Sequence, residues 1–161
     1  MRTDESYMGE ALAEAHKALE ADEVPIGAII VSQNGEVIAR GYNCVETQKC
    51  QLAHAELQAV KEATRVLGDW RLEGCTLFVT LEPCAMCYYA LRASRIRKIV
   101  FGADSPVFGF HLDKDNFISV YNLDALFVLG GVRKQESEGL LKQFFQLKRK
   151  KSEVKERAGE D

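Results

Sequence analysis

Thr76-Leu77-Phe78-Val79-Thr80-Leu81-Glu82-Pro83-Cys84-Ala85-Met86-Cys87 is the stretch on which the fold turns. Its first six residues are β-rich and apolar on both faces, which predicts a central strand covered by helices on either side. Pro83 ends that strand, since its fixed φ and missing N–H suit a helix start. A helix is predicted from Cys84 to Ser94, and Ile99-Val100-Phe101-Gly102 reads as a further strand. A strand-helix-strand unit pairs its strands in parallel through a right-handed crossover. The fold class is therefore three-layer α/β/α.

Outward from this unit, Met8, Ala11, Leu12, Ala15 and Leu19 recur at helical spacing between Asp4 and Glu20, predicting an amphipathic first helix. Ile26 to Val31 and Val37 to Ala39 flank Asn34-Gly35, the strongest hairpin signal in the chain. A polar stretch from Glu46 to Gln51 leads into a helix over Ala53 to Leu67, stopped by Gly68. After Ala103 the signal weakens. Asp104 to Asn116 reads as a long loop, Phe117 to Leu129 fits helix or strand, and Ser137 to Lys150 reads as the last helix. Residues 152–161 read as a disordered tail or a frayed helix end. No repeat or linker divides the chain, so residues 1–161 are expected to form one domain.

With 161 residues, 47% of them hydrophobic, the chain is long enough to bury a core without disulfides. Its five cysteines are an odd number without framework spacing, and Met1 to Glu10 lack the pattern of a secretory signal. Reduced thiols and a cytoplasmic location are expected, with no membrane partner because no apolar run approaches the roughly 20 residues of a span. The formal charge of -3 argues against gripping long nucleic acid, which needs a basic surface. A local basic patch, Lys148-Arg149-Lys150-Lys151, reads either as a nucleic-acid contact or as a solvated helix end complementing the macrodipole.

The chemistry lies in His54-Ala55-Glu56 and Pro83-Cys84-Ala85-Met86-Cys87. Alone, a histidine at a helix is more often structural and a C-x-x-C pair can be redox-active. Together they supply three ligands of the imidazole and thiolate type that zinc accepts, leaving a fourth position for water, with one Zn2+ expected per chain. Cysteines three apart at a helix start share a face, where the dipole favours thiolate. Two thiolates leave the site formally neutral, so a nearby base becomes valuable, and Glu56 is the candidate catalytic residue. On an ideal helix His54 and Glu56 would point about 200° apart, so His54 is expected at or before the first turn. The alternative is a closed zinc site with Cys50 or Cys75 as fourth ligand, in which Glu56 has no task.

H-x-E with P-C-x-x-C is the known zinc-deaminase signature, in which metal-activated water attacks an amidine-like ring carbon while the carboxylate shuttles protons. Beyond it, Val24-Pro25-Ile26-Gly27-Ala28, Gly41-Tyr42-Asn43, Ala53-His54-Ala55-Glu56, Thr80 to Cys87, Ser94-Arg95-Ile96 and Val100 to Asp104 together resemble the bacterial tRNA adenosine deaminases, the TadA family. Phe144-Phe145-Gln146-Leu147-Lys148-Arg149 is similar to their closing helix. The resemblance implies a cytidine-deaminase-like fold with a mixed sheet flanked by helices. It implies zinc-dependent hydrolysis of adenosine to inosine at the wobble position of a tRNA anticodon stem-loop, by a homodimer. It also implies that Asn43 bonds the purine, that Ala55 offers its N–H, and that Val24 and Pro25 wall the pocket. Read without it, Asn43 is a turn residue and Val24-Pro25 the start of a strand.

Two stretches depart from the family pattern. Tyr88-Tyr89 stand where small residues are usual, facing a dimer contact, a substrate groove or the core. Ser105-Pro106-Val107-Phe108-Gly109-Phe110 lacks the customary lysine, and the family's later Asn-His-x-Val is replaced by an apolar, glycine-containing stretch around Leu126 to Val132. The alternative activity is therefore a deaminase of a free purine or pyrimidine base or nucleoside, for example guanine or cytosine; a catalytically idle zinc- or RNA-binding partner is a third. His16 and His111 are assigned to structure or solvent, Cys44, Cys50 and Cys75 to idle thiols, and Trp70 to a loop anchor.

Overall fold

The computed structural model describes residues 1–112 and 126–159. In chain order the elements are α1 (Asp4–Glu20), β1 (Gly27–Val31), β2 (Val37–Tyr42), α2 (Val45–Gln48), α3 (Ala55–Leu67), β3 (Thr76–Leu81), α4 (Ala85–Ala93), β4 (Lys98–Ala103), β5 (Phe127–Leu129) and α5 (Lys134–Ala158). The sheet order is β2-β1-β3-β4-β5. β1 pairs antiparallel with β2 and β3, whereas β4 runs parallel to β3 and β5, so the predicted strand-helix-strand unit is β3-α4-β4.

Successive strand side chains point to opposite faces, and that alternation builds the layers. Ile29, Val31, Phe78 and Val100 pack with Met8, Ala11 and Leu12 of α1 and Leu140 of α5. Their neighbours Ala28, Ile30, Leu77, Val79, Ile99 and Phe101 pack with Ala55, Ala59 and Ala63 of α3 and Leu91 of α4. Two glycines set how closely the helices approach. A Cβ on Gly27 would lie 2.1 Å from the Ala11 carbonyl oxygen, and one on Gly41 would lie 2.5 Å from that of Ala55. The second contact seats the start of α3 directly against β2.

Three elements go beyond the expectation. The polar stretch after Cys44 contains α2, whose first amides have a remote partner: buried Glu23 accepts from Glu46 N at 3.1 Å and Thr47 N at 2.6 Å. Strand β5 falls within the ambiguous segment; three residues at a sheet edge give too short a run for periodicity to register. Helix α5 starts at Lys134 and runs to Ala158, through the stretch expected to be disordered or frayed. Strong helix formers carry it on, and Gly159 in left-handed conformation stops it. The readings made for residues 113–125, and for the last two residues, lie outside the described residues. No helix among the described residues is long and apolar enough to cross a membrane.

Candidate active site

Two helix starts converge at the ends of β2 and β3. His54 is the N-cap of α3, extended at φ -69 and ψ 150, and Cys84 is the N-cap of α4, extended at φ -70 and ψ 168. Because His54 precedes the first turn, its ring and the Glu56 side chain enter one cavity although they are two residues apart. The cap geometry thus overcomes the divergence that helical periodicity would impose.

The ligand atoms are already gathered. His54 Nδ1 lies 3.8 Å from Cys84 Sγ and 3.4 Å from Cys87 Sγ, and the three atoms all lie within 4.8 Å of one another. Nitrogen and sulfur at ordinary zinc distances and tetrahedral angles sit about 3.5 Å apart, so the donor set fits Zn2+. Electrostatics agree. The hydrogen bond from Cys87, aided by His54, holds the Cys84 thiol down at about 4, while that same Cys84 sulfur, together with burial, pushes Cys87 far up. Two adjacent thiolates repel, and a divalent cation turns that repulsion into ligation. The bond to Cys84 likewise raises His54, with the Glu56 charge adding against burial. On the far side of the ring, Nε2 lies 3.3 Å from the Gln51 amide, a contact that orients the imidazole.

Glu56 is buried, and burial pushes its carboxyl up to about 7, partly offset by its own backbone N–H and by His54. A carboxyl balanced near neutrality suits proton transfer in both directions. The cavity it faces has a volume of about 580 Å³ and is walled by Val24, Ile26, Leu81, Met86, Val107, Phe108, Leu141 and Phe145. Of the other residues expected at the substrate, Val24 lines this cavity, whereas Pro25, Asn43 and Ala55 are buried and are not among its lining residues. Asn43 donates through Nδ2 to the Val24 carbonyl at 3.4 Å, so it braces that wall. Ala55 is the first residue of α3, where amides have no helical partner.

Sequence reasoning missed Glu82. Its buried carboxylate accepts from Ser105 N at 3.0 Å, His111 N at 3.2 Å and His111 Nδ1 at 2.6 Å, tying the loop after β4 to the corner that carries Cys84. A carboxylate between a strand and Pro83 was the available signal. Tyr88 belongs to the core, stacked on Phe110 with ring centroids 4.3 Å apart, whereas Tyr89 is exposed. Cys44, Cys50 and Cys75 are free and lie outside the metal-ligand cluster.

Residues 1–103 match the zinc-binding region of cytidine and deoxycytidylate deaminases. The tRNA-specific adenosine deaminase of Bacillus subtilis (strain 168) is 48% identical over 156 residues, spanning 96% of this chain and 96% of that protein. The chain belongs to this deaminase family. A solved structure from studies of A-to-I editing by tRNA:A34 deaminases at the wobble position of transfer RNA superposes with a TM-score of 0.77 at 38% identity, covering 84% of this chain and 98% of that one. A guanine deaminase from Nitrosomonas europaea gives 0.73 at 25% identity, covering 89% and 85%. Fold, hydrolytic deaminase class and zinc dependence thus agree with the sequence reading.

Proposed function

We infer that the chain hydrolyses adenosine to inosine at the wobble position of tRNA, with His54, Cys84 and Cys87 holding one zinc and Glu56 moving the protons. The observation that carries this reading is the buried Glu56 carboxyl sharing a cavity with His54 and Cys84, whose ligand atoms gather with that of Cys87. When bound, zinc supplies the Lewis acidity that makes water nucleophilic near neutral pH. Glu56 takes a proton from water through a carboxylate oxygen and delivers it to the purine ring nitrogen beside the amino group, then takes the hydroxyl proton of the tetrahedral adduct and passes it to the amino group, which leaves as ammonia when its C–N bond breaks. Its raised affinity for the proton serves both steps. Apolar walls at Val24, Ile26 and Leu81 hold the ring and exclude bulk water. We assign to Ala55 N–H, at the open start of α3, a hydrogen bond to the base, to Val24 and Pro25 the pocket wall, and to Asn43 a purine contact once substrate is bound.

Five free cysteines and a tRNA substrate suit a cytoplasmic enzyme, and a homodimer is what the family resemblance implies. A second reading, deamination of a free base such as guanine or cytosine, is favoured by the lysine-free loop from Ser105 to Phe110. Ammonia release from zinc-loaded protein separates the two. Turnover of an anticodon stem-loop, with free bases and nucleosides inert, is expected; the reverse pattern would transfer the assignment to the second reading.

A further inference from the structure

The catalytic cavity accepts one base, and a polynucleotide whose base enters it must leave across the rim on both sides. That rim is aromatic. Phe108 is 75% exposed and Val107 67% exposed at the tip of the loop after β4, while Phe145 of α5 is 47% exposed; all three line the cavity. The flanks of this tip are held firmly. Besides the three bonds to Glu82, Gly109 N donates to the Ser105 carbonyl at 3.0 Å and Phe110 N to that of Pro83 at 2.9 Å. Phe110 is in turn stacked on Tyr88, so Phe108 is presented on a braced support. Leu141, Phe145 and Arg149 are spaced four apart on α5, which puts a cation on the same face as the two cavity-lining residues.

We propose that Phe108 is a stacking platform for a base flanking the target adenosine, with Phe145 as a second wall, so that this chain holds its RNA at the loop by an aromatic face. The inference rests on the tRNA reading above and deepens it. Single-stranded bases splayed from a loop are held by aromatic side chains and cations, and the mouth offers Phe108 and Phe145 with Arg149 on the same helix face as Phe145. A large aromatic left in water at a cavity mouth and backed by a rigid loop loses little entropy when a base covers it.

The test is steady-state deamination by zinc-loaded wild type, Phe108→Ala and Phe108→Trp, using anticodon stem-loops with an intact or an abasic residue at each flanking position. Phe108→Ala should raise KM roughly 5- to 150-fold with a smaller effect on kcat and with zinc retained, and Phe108→Trp should restore KM. One abasic position should bring wild type to the level of Phe108→Ala, with no further loss in the variant. An unchanged KM in Phe108→Ala, losses that simply add, or a change in sedimentation without a change in KM would overturn the proposal, the last marking a contact between copies. If wild type forms no inosine from any stem-loop, the tRNA reading falls and takes this inference with it. Inosine formation with an unaltered Phe108→Ala variant defeats this inference alone.

Discussion

Replacing Glu82 isolates what holds the cavity wall in place. In Glu82→Gln one carboxylate oxygen becomes an NH2 group facing a donor. It either abandons Ser105 N at 3.0 Å or abandons both His111 N at 3.2 Å and His111 Nδ1 at 2.6 Å. The amide settles the cheaper way, against Ser105. Leaving a buried donor unpaired costs about 1–3 kcal/mol. Glu82→Ala loses all three acceptor contacts and opens space beneath Gly109, whose backbone approaches the carboxylate so closely that a Cβ would lie 2.5 Å from Oε2. Its cost is about 3 kcal/mol or more. Urea unfolding of zinc-loaded protein should show the midpoint falling in the order wild type, Glu82→Gln, Glu82→Ala, with the slope unchanged. Because the freed loop forms one wall of the cavity, KM should rise in the same order. Equal midpoints for wild type and Glu82→Gln would refute the reasoning, showing that the Ser105 contact contributes nothing to holding the loop.

Other changes probe the metal corner. Gly41→Ala would press its Cβ to 2.5 Å from the Ala55 carbonyl oxygen and 2.7 Å from Ala59 N. It should cost about 1–3 kcal/mol and release zinc faster to a chromophoric chelator, since α3 carries His54. Gln51→Ala removes the amide beside His54 Nε2 and should weaken zinc retention roughly 10- to 100-fold, measured by competition with the same chelator. Glu56→Ala should lower the rate of deamination by roughly 10²- to 10⁴-fold while the protein still carries its zinc, as metal analysis would record.

Much of the fold could be read along the chain because its core elements carry strong periodic signals. Thr76 to Leu81 is apolar on both faces and is a central strand, and Met8, Ala11 and Ala15 mark the buried stripe of α1. The metal triad was legible for a different reason: two short motifs fix residue type and spacing, and the caps of α3 and α4 bring them together. What escaped depends on contacts distant in sequence. The partners that organise α2 come from Glu23, and the loop after β4 is organised by Glu82, both buried carboxylates that composition gives no reason to single out. The end of α5 escaped because highly charged sequence resembles a solvated tail, although its residues are strong helix formers. Val24 lines the cavity, and Asn43 is held to the Val24 carbonyl.

The most direct test is inosine at a single tRNA position. Zinc-loaded wild type and Glu56→Ala, each confirmed by metal analysis to carry zinc, would be incubated with full-length tRNAs that bear a wobble adenosine, and the products read by sequencing. Inosine at the wobble position with wild type alone is the predicted result. Unchanged adenosine with metal-loaded wild type, or equal conversion by Glu56→Ala, would contradict the account.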